Sequence, residues 1–384
     1  MKPSIVDTSN LITTSDAANK SAITFRPATF DDHGRIAELG TRYALKAESY
    51  EQWVHLWANN PVYHEFPNWP IGWVLENEEK EMVGHIGNVP LLYEFENRRL
   101  VASASRAVVV DTRYRTYSFQ LFRNFFKQKL VDLFLATTVN EQAAKANQVF
   151  RAVRVPAGSW DESVFWITNY QGFSASLLAM KDLPAKGLSY PLSAGLLLRD
   201  AVEGKWLKTR ANGIEPDCCT EFDERFEDFW QKLRKTYSDR LLANRSRATM
   251  QWHFKHPLEK GRAWVLTVSK GPALAAYAVF LRQDNTAFSL KRMRLVDFQT
   301  LGNTELLRPI LCHALARCRR EGIHMLETMG FGPEKQRVID SLSPHRRALS
   351  SWRYFYKAAD PQLAESLKNA EVWDPSCFDG DSSL

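Results

Sequence analysis

The residues best suited to bind an anionic ligand lie between a strand and a helix near position 110. The strand ends in Val108, Val109 and Val110, a run that is typical of a strand buried on both faces. From position 118 apolar residues recur at helical spacing, and a helix N-terminus presents unpaired N–H groups and a partial positive charge. A pyrophosphate would bind well at such a turn. The candidate phosphate-binding residues are Arg113, Tyr114, Arg115, Thr116, Tyr117 and Ser118.

Three residues on neighbouring strands could perform acid–base chemistry. His85 has the pKa range of a general base, although a lone strand histidine is also typical of a packed residue. Glu76 is an alternative base and is equally consistent with a solvated strand position. Ser105 lies two residues after Ser103, so both share one strand face and either line a substrate site or permit close packing. We therefore take His85, Glu76 and Ser105 as candidate catalytic residues and assign no general acid.

The strand–turn–helix segment resembles the acyl-coenzyme A loop of the GNAT superfamily of N-acyltransferases. Residues 108–110, Asp111, Tyr114 and Arg115 match the apolar run and the acid-x-x-Tyr-Arg turn of that family, whereas 116, 118 and 120 carry Thr, Ser and Gln in place of Gly. The resemblance implies acetyl-coenzyme A, or another acyl-coenzyme A, as co-substrate and no metal. It also implies that a backbone N–H group in Val108–Val110 donates to the thioester oxygen and that the next strand splays away from this one. Asn140 would then contact the cofactor.

The elements that position these residues occur in the same order twice. Three meandering strands, a helix, a strand, a helix and a last strand are predicted in residues 23–170, and the same order follows in residues 217–357. Residues 164–170 would close the first sheet, and residues 352–357 form the last strand of the second half. The fold class predicted is α/β (an α+β mixed sheet), with two tandem GNAT-like domains that each have a mostly antiparallel mixed sheet flanked by helices.

The predicted boundaries follow from composition. Residues 1–21 are polar and Ser/Thr-rich and form a flexible arm, and residues 22–176 form the first domain, which would bind acyl-coenzyme A. Residues 177–216 contain scattered Pro and Gly and form a connector. Residues 217–360 form a second, degenerate domain without the Tyr-Arg motif, and residues 361–384 form a tail.

Composition excludes several classes of protein. The net charge of +6 over 384 residues is compatible with an anionic ligand but lacks the basic clusters of a nucleic-acid-binding protein. Five cysteines without metal-ligand spacing indicate free thiols rather than a disulfide framework. The sequence shows no signal peptide and no apolar run that could span a membrane, so we expect a cytoplasmic protein. The oligomeric state is not predicted.

The function predicted is acyl-coenzyme A–dependent N- or O-acyl transfer to a small molecule or sugar in the cleft between the domains. Five Trp and Tyr residues between positions 53 and 73 could stack on sugar rings or could fill the core. Two alternatives stay open. One is a catalytically silent GNAT-fold protein used for binding or scaffolding. The other is a transferase similar to the Fem type, which takes an amino acid from tRNA, and only this alternative would involve nucleic acid.

Overall fold

Two mixed sheets form the centre of the protein, and each sheet takes strands from both halves of the chain. The structure is a computed structural model that describes residues 23–205, 213–349 and 353–384. The predicted flexible arm at 1–21 lies outside the described residues. Among the described helices, none has both the length and the apolar character of a membrane span.

The first sheet has the strand order β1-β2-β3-β4-β5-β15-β6, with β9 paired to β3. All its pairs are antiparallel except β4 with β5. Its strands are β1 (Thr24–Pro27), β2 (Gly72–Glu76), β3 (Met82–Phe95), β4 (Arg98–Val110), β5 (Leu133–Val139), β6 (Val153–Arg154), β9 (Leu242–Ala243) and β15 (Arg353–Ala358).

The second sheet has the order β14-β7-β13-β12-β11-β10-β8 and contains one parallel pair, β12 with β13. Its strands are β7 (Glu162–Ile167), β8 (Asp217–Cys219), β10 (Ala263–Lys270), β11 (Ala273–Arg282), β12 (Arg292–Thr300), β13 (Met325–Thr328) and β14 (His345–Ala348). The single parallel pair after a meander is therefore present in both sheets, which confirms the predicted fold class.

The two halves exchange their last strands. Strand β7, predicted to close the first sheet, pairs with β13 and β14 in the second sheet, and β15 pairs with β5 and β6 in the first. The prediction that residues 164–170 close the first sheet is therefore wrong. The predicted domain limits 22–176 and 217–360 do not coincide with the sheets, because a cut between them would remove β9 and β15 from the first sheet and β7 from the second.

Helices cover both sheets and connect the halves. In the first half they are α1 (His33–Arg42), α2 (Tyr50–Ala58), α3 (Pro61–Glu65), α4 (Ser118–Phe125), α5 (Glu141–Val149), α6 (Tyr170–Met180) and α7 (Ala185–Val202). In the second half they are α8 (Glu224–Thr236), α9 (Arg247–Glu259), α10 (Leu307–Arg320), α11 (Pro333–Ser341) and α12 (Pro361–Ser366). The segment predicted as an irregular connector thus contains α7, which includes Pro191 within the helix.

The larger hydrophobic core joins the two halves. It includes Trp57 from α2, Leu133 from β5, Phe226 from α8 and Tyr277 from β11, as well as Phe378 from the C-terminal residues. A second core lies between the second sheet and α10. Because residues after α12 contribute to the shared core, the predicted tail is packed against the protein and reaches the first sheet.

Candidate functional site

A gap between two parallel strands forms the first cavity. Strands β4 and β5 pair only at Ala102–Leu133, Ser103–Phe134 and Ala104–Leu135, and then separate. The cavity between the separated parts has a volume of about 400 Å³ and is lined by residues 105–108 of β4 and residues 136–140. Backbone groups of a strand point alternately to its two neighbours, so those of β4 beyond Ala104 that face β5 open onto the cavity.

A bulge at Ala107 shapes the β4 side of this cavity. Ala107 has a φ of +48°, and the pairing of β3 with β4 shifts between His85 and Gly87. A non-glycine residue with positive φ is uncommon and costs backbone energy, so the bulge is a specific feature of this strand. It turns the Ala107 carbonyl toward β3, where it accepts a hydrogen bond from His85 Nδ1 at 3.0 Å.

The His85 side chain is neutral and has one unused lone pair. A carbonyl oxygen only accepts, so Nδ1 of His85 carries the hydrogen and Nε2 is unprotonated. Nε2 is buried and has no hydrogen-bond partner among the described residues. Burial lowers the pKa of His85 to about 4, which keeps the ring uncharged near neutral pH. The ring lines the first cavity and offers a hydrogen-bond acceptor there.

Arg106 connects the cavity to the end of the described chain. Its guanidinium forms an ion pair with Glu48 and donates to the backbone oxygens of Leu384 at 3.1 Å and Asp381 at 3.3 Å. The side chain of Asp381 lies in the cavity wall, where Oδ1 accepts a hydrogen bond from the Thr137 hydroxyl at 2.5 Å. Burial raises the pKa of Asp381, although Arg106 and Thr137 partly oppose this effect. A buried carboxylate that binds a proton more readily is suited to act as a general base.

A second cavity of about 520 Å³ adjoins the first and lies between the halves. The two cavities share residues 46–48, so Glu48 stands at their junction. The walls of the second cavity come from α2, from the C-terminal part of α9 and from the end of β11. Ser383 reaches this wall and its hydroxyl lies 2.8 Å from His253 Nε2. Burial lowers the pKa of His253 to about 3, so that ring is also neutral.

Three solved structures that the chain resembles are described as acyltransferases. The chain is similar to Saccharomyces cerevisiae N-myristoyltransferase with bound myristoyl-CoA, with a TM-score of 0.56 and 12% identity over 93% of this chain and 90% of that one. It is also similar to a probable N-acyltransferase from Enterococcus faecalis (TM-score 0.54, 8% identity, 89% and 74% covered) and to a GCN5-related N-acetyltransferase from Kribbella flavida (0.52, 10%, 88% and 72%).

The chain has the GNAT fold. The matches extend over both sheets, so this holds for both halves of the chain. No family model matches the sequence, and no curated protein sequence matches it either.

Several predicted residues meet in the first cavity of this GNAT fold. His85, Ser105, Val108 and Asn140 all line it. The Asn140 side chain also accepts a hydrogen bond from the Ala143 N–H at 2.9 Å and so caps α5. Of the two other valines, 109 is buried in the core and 110 is packed against it. The strand positions therefore bring together residues that lie far apart in the sequence.

Glu76 lies outside this cavity. Its carboxylate is held by Arg26 Nη2 at 2.7 Å and by Arg35 Nη1 at 2.8 Å. The hydrogen bond from Arg26 lowers the pKa of Glu76, which makes it a weaker base. The structure thus gives Glu76 a structural ion-pair position and does not place it with His85 and Ser105.

The predicted phosphate-binding residues do not line either cavity. Residues Thr112–Tyr117 form a 3₁₀ helix with a kink at Tyr114. Backbone N–H groups at its start already have partners: Thr112 donates to the Tyr43 hydroxyl at 3.2 Å, Arg113 to Asp111 Oδ1 at 3.0 Å and Tyr114 to the Asp111 backbone oxygen at 2.9 Å. The Arg113 side chain is 68% exposed and pairs with Asp111, while Arg115 and Thr116 are exposed and Tyr114, Tyr117 and Ser118 are half-buried. Phosphate binding by these six residues stays a prediction, and Arg115, which matches the Arg of the family motif, is exposed.

Sequence reasoning missed three charged residues of the site, namely Glu48, Arg106 and Asp381. Glu48 lies between helices and Asp381 lies beyond the last helix, so neither belongs to a periodic pattern. Arg106 is an isolated charge within the apolar strand β4, and this is the one signal that could have identified it. A charge in a buried strand is costly unless it is paired, which indicates a partner elsewhere in the chain.

Proposed function

We propose that the protein is an acyltransferase that moves an acyl group from acyl-coenzyme A to an amine or hydroxyl of a small acceptor. The observation that carries this proposal is the first cavity, in which the open edge of β4 faces a buried carboxylate, Asp381. The similarity to a structure with bound myristoyl-CoA supports the same assignment for the donor. The acceptor would enter through the second cavity, which meets the first at Glu48.

The donor would lie with its pantetheine arm between β4 and β5. Its thioester oxygen would then face the N–H groups near the Ala107 bulge, which act as donors for the negative charge that develops on this oxygen. Such groups are fixed in position before the reaction and need no reorganisation. The acyl group would extend toward Trp53 and Trp57, which line the cavity and are buried.

Asp381 would act as the general base. As the acceptor nitrogen or oxygen attacks the thioester carbonyl, its proton passes to the Asp381 carboxylate, the carbon–sulfur bond breaks, and coenzyme A leaves. The raised pKa of Asp381 favours this transfer. His85, whose pKa is about 4, is a weak base and would instead accept a hydrogen bond from the acceptor through Nε2.

A second candidate function is binding without catalysis. The 3₁₀ helix Thr112–Tyr117 favours it, because backbone N–H groups at its start, where a pyrophosphate would bind, already have partners. A protein that no longer binds coenzyme A could keep the fold and use the second cavity for a ligand. Use of aminoacyl-tRNA as donor stays a prediction.

Calorimetric titration with acetyl-coenzyme A and coenzyme A tests the proposal. We expect binding by the full chain, and a large loss of affinity in Thr138→Trp, because position 138 is exposed on β5 and its enlarged side chain would fill the gap. Arg115→Ala tests the predicted pyrophosphate position separately. Absence of heat with both ligands, from protein whose circular dichroism shows it to be folded, would contradict acyl transfer and support the binding function.

A further inference from the structure

The second cavity carries an excess of positive charge. Its wall contains five cationic side chains and two carboxylates. The cationic residues are Lys46, Lys260, Arg262, Arg282 and Arg292. The carboxylates are Glu48 and Asp284, and each already has a cationic partner: Glu48 pairs with Arg106, and Asp284 lies 2.5 Å from Arg282. The wall charges are therefore not balanced from within the cavity.

Both lysines of the wall lack an ionic partner in the described part of the chain. Neither Lys46 nor Lys260 forms an ion pair there, and both are exposed. Arg262 is exposed as well, and its guanidinium donates to the backbone oxygen of Arg282 at 2.9 Å. These three cations can turn toward a ligand without breaking an ion pair.

The inner wall adds a guanidinium that is only partly neutralised. Arg292 Nη1 lies 3.3 Å from Glu327, but Glu327 also pairs with Arg294 at 2.8 Å and with Arg347. Three guanidinium groups thus share one buried carboxylate. Burial, with a smaller contribution from the neighbouring Arg294, lowers the pKa of Arg292 to about 10, although Glu327 and Asp284 partly oppose this effect. An anion bound in the cavity would offset this cost.

The cavity also contains a buried ring nitrogen of His256 that has no hydrogen-bond partner among the described residues. Nδ1 of His256 lies 3.3 Å from the Glu259 carboxylate, which can only accept, so the Nδ1 hydrogen points there. The nitrogen without a partner is Nε2. A ligand with a hydroxyl or amine beside its anionic group would satisfy this atom.

We infer that the second cavity binds an acidic group, a carboxylate or a phosphate, of the acyl acceptor. The acceptor class is then an amine or alcohol that carries such a group, with the acid held by the cationic wall and the nucleophile directed past Glu48 into the first cavity. The part concerning the acceptor rests on the proposed acyl transfer, whereas anion binding by the cavity can be measured without it.

The test is calorimetric titration of the full chain, at low ionic strength, with succinate, with inorganic phosphate and with the neutral analogue succinamide. We expect succinate or phosphate to bind, succinamide to bind at least about tenfold more weakly, and the affinity to fall as salt is added. Comparison of the two anions decides between a carboxylate and a phosphate.

Matched variants locate the site. Lys260→Gln combined with Arg262→Gln removes two exposed wall cations, and we expect a loss of affinity of about tenfold or more. The control is Lys255→Gln with Arg320→Gln: both residues are exposed and outside the cavity, and Lys255 lies on the same helix as His256. An equal loss in both variants, equal binding of succinamide, or no binding of either anion would overturn the inference. Anion binding without coenzyme A binding would overturn only the proposed function, and the reverse result would overturn only this inference.

Discussion

Removing one carboxylate from the centre of the protein should cost a large part of its stability. Arg245 and Asp297 form a buried ion pair, with Nε–Oδ2 at 2.9 Å and Nη2–Oδ1 at 3.0 Å and with side-chain exposures of 1% and 0%. Asp297→Asn removes the hydrogen-bonded counter-charge of this buried guanidinium and leaves only the more distant Asp379, and the loss of one partner of a buried ion pair typically costs about 3–5 kcal/mol. The Tyr277 and Ser376 hydroxyls, which donate to Asp297 at 3.1 and 3.0 Å, would lose a charged acceptor as well. We therefore expect the upper part of this range, about 4–5 kcal/mol.

The assay is urea unfolding at neutral pH, followed by tryptophan fluorescence and by circular dichroism. Arg245→Met combined with Asp297→Asn removes both buried charges, so it should be more stable than Asp297→Asn alone by about 2 kcal/mol or more. Glu321→Gln is the control, because it removes one partner of an exposed i,i+4 pair with Arg317 and should cost about 0.3–0.5 kcal/mol. A loss of less than about 1 kcal/mol in Asp297→Asn would refute the reasoning.

Three further predictions concern the side-chain carboxylates of Asp381 and Asp379 and the close contact of Gly158 with Gly330. Asp381→Asn should lower kcat at every pH and remove the acidic limb of the pH–rate profile, whereas an unchanged limb would assign the base elsewhere. Burial raises the pKa of Asp379 to about 6, above the usual value near 3.9, so the folded state binds this proton more tightly and stability should fall as pH rises from about 4 to about 6. Asp379→Asn should reduce that fall when unfolding is measured across this range. Gly158→Ala places a Cβ 2.2 Å from the Gly330 oxygen at a φ of +78° and should cost about 2–3 kcal/mol, compared with about 1 kcal/mol for Gly261→Ala, which has a similar φ and open space.

Local sequence patterns predicted most of the helices and strands, because the side chains that an element buries recur with the period of that element. Residues 263–270, 273–282 and 292–300 form the three meandering strands that the sequence predicts for the second half, and α10 is the helix predicted to follow them. The partners of β7 and β15 were not predictable in the same way. Each has the composition of a strand, but which sheet it joins depends on the packing of elements that are distant in sequence.

Residues 177–216, predicted as a connector from their scattered proline and glycine, contain helix α7. Pro184 precedes α7 as its N-cap, and Pro191 lies in the second turn, where the helix continues despite the missing N–H. Tertiary contacts maintain the helix, for example those of Asp200, whose carboxylate lies 2.9 Å from His345 Nε2. A local breaker signal cannot include such contacts.

Part of the candidate site could be predicted because the order of strands and the alternation of side chains along each strand can be read from the sequence. His85 and Ser105 lie near the same bulge in the paired strands β3 and β4, and alternation along a strand shows which residues share a face. The position of Asp381 has no local cause. It follows from the path of residues 374–384, which cross from the second half to the first through the shared core.

The exchange of strands has a consequence for biosynthesis. Strand β5 leaves the ribosome roughly two hundred residues before β15, which at about 5–20 residues per second corresponds to about 10–40 s. During that time the apolar strand Leu133–Val139 has an open edge, of the kind that pairs with other chains. The nascent first half is therefore exposed to aggregation until residues 353–358 emerge, and its yield in cells should depend on chaperones that bind unpaired strand edges.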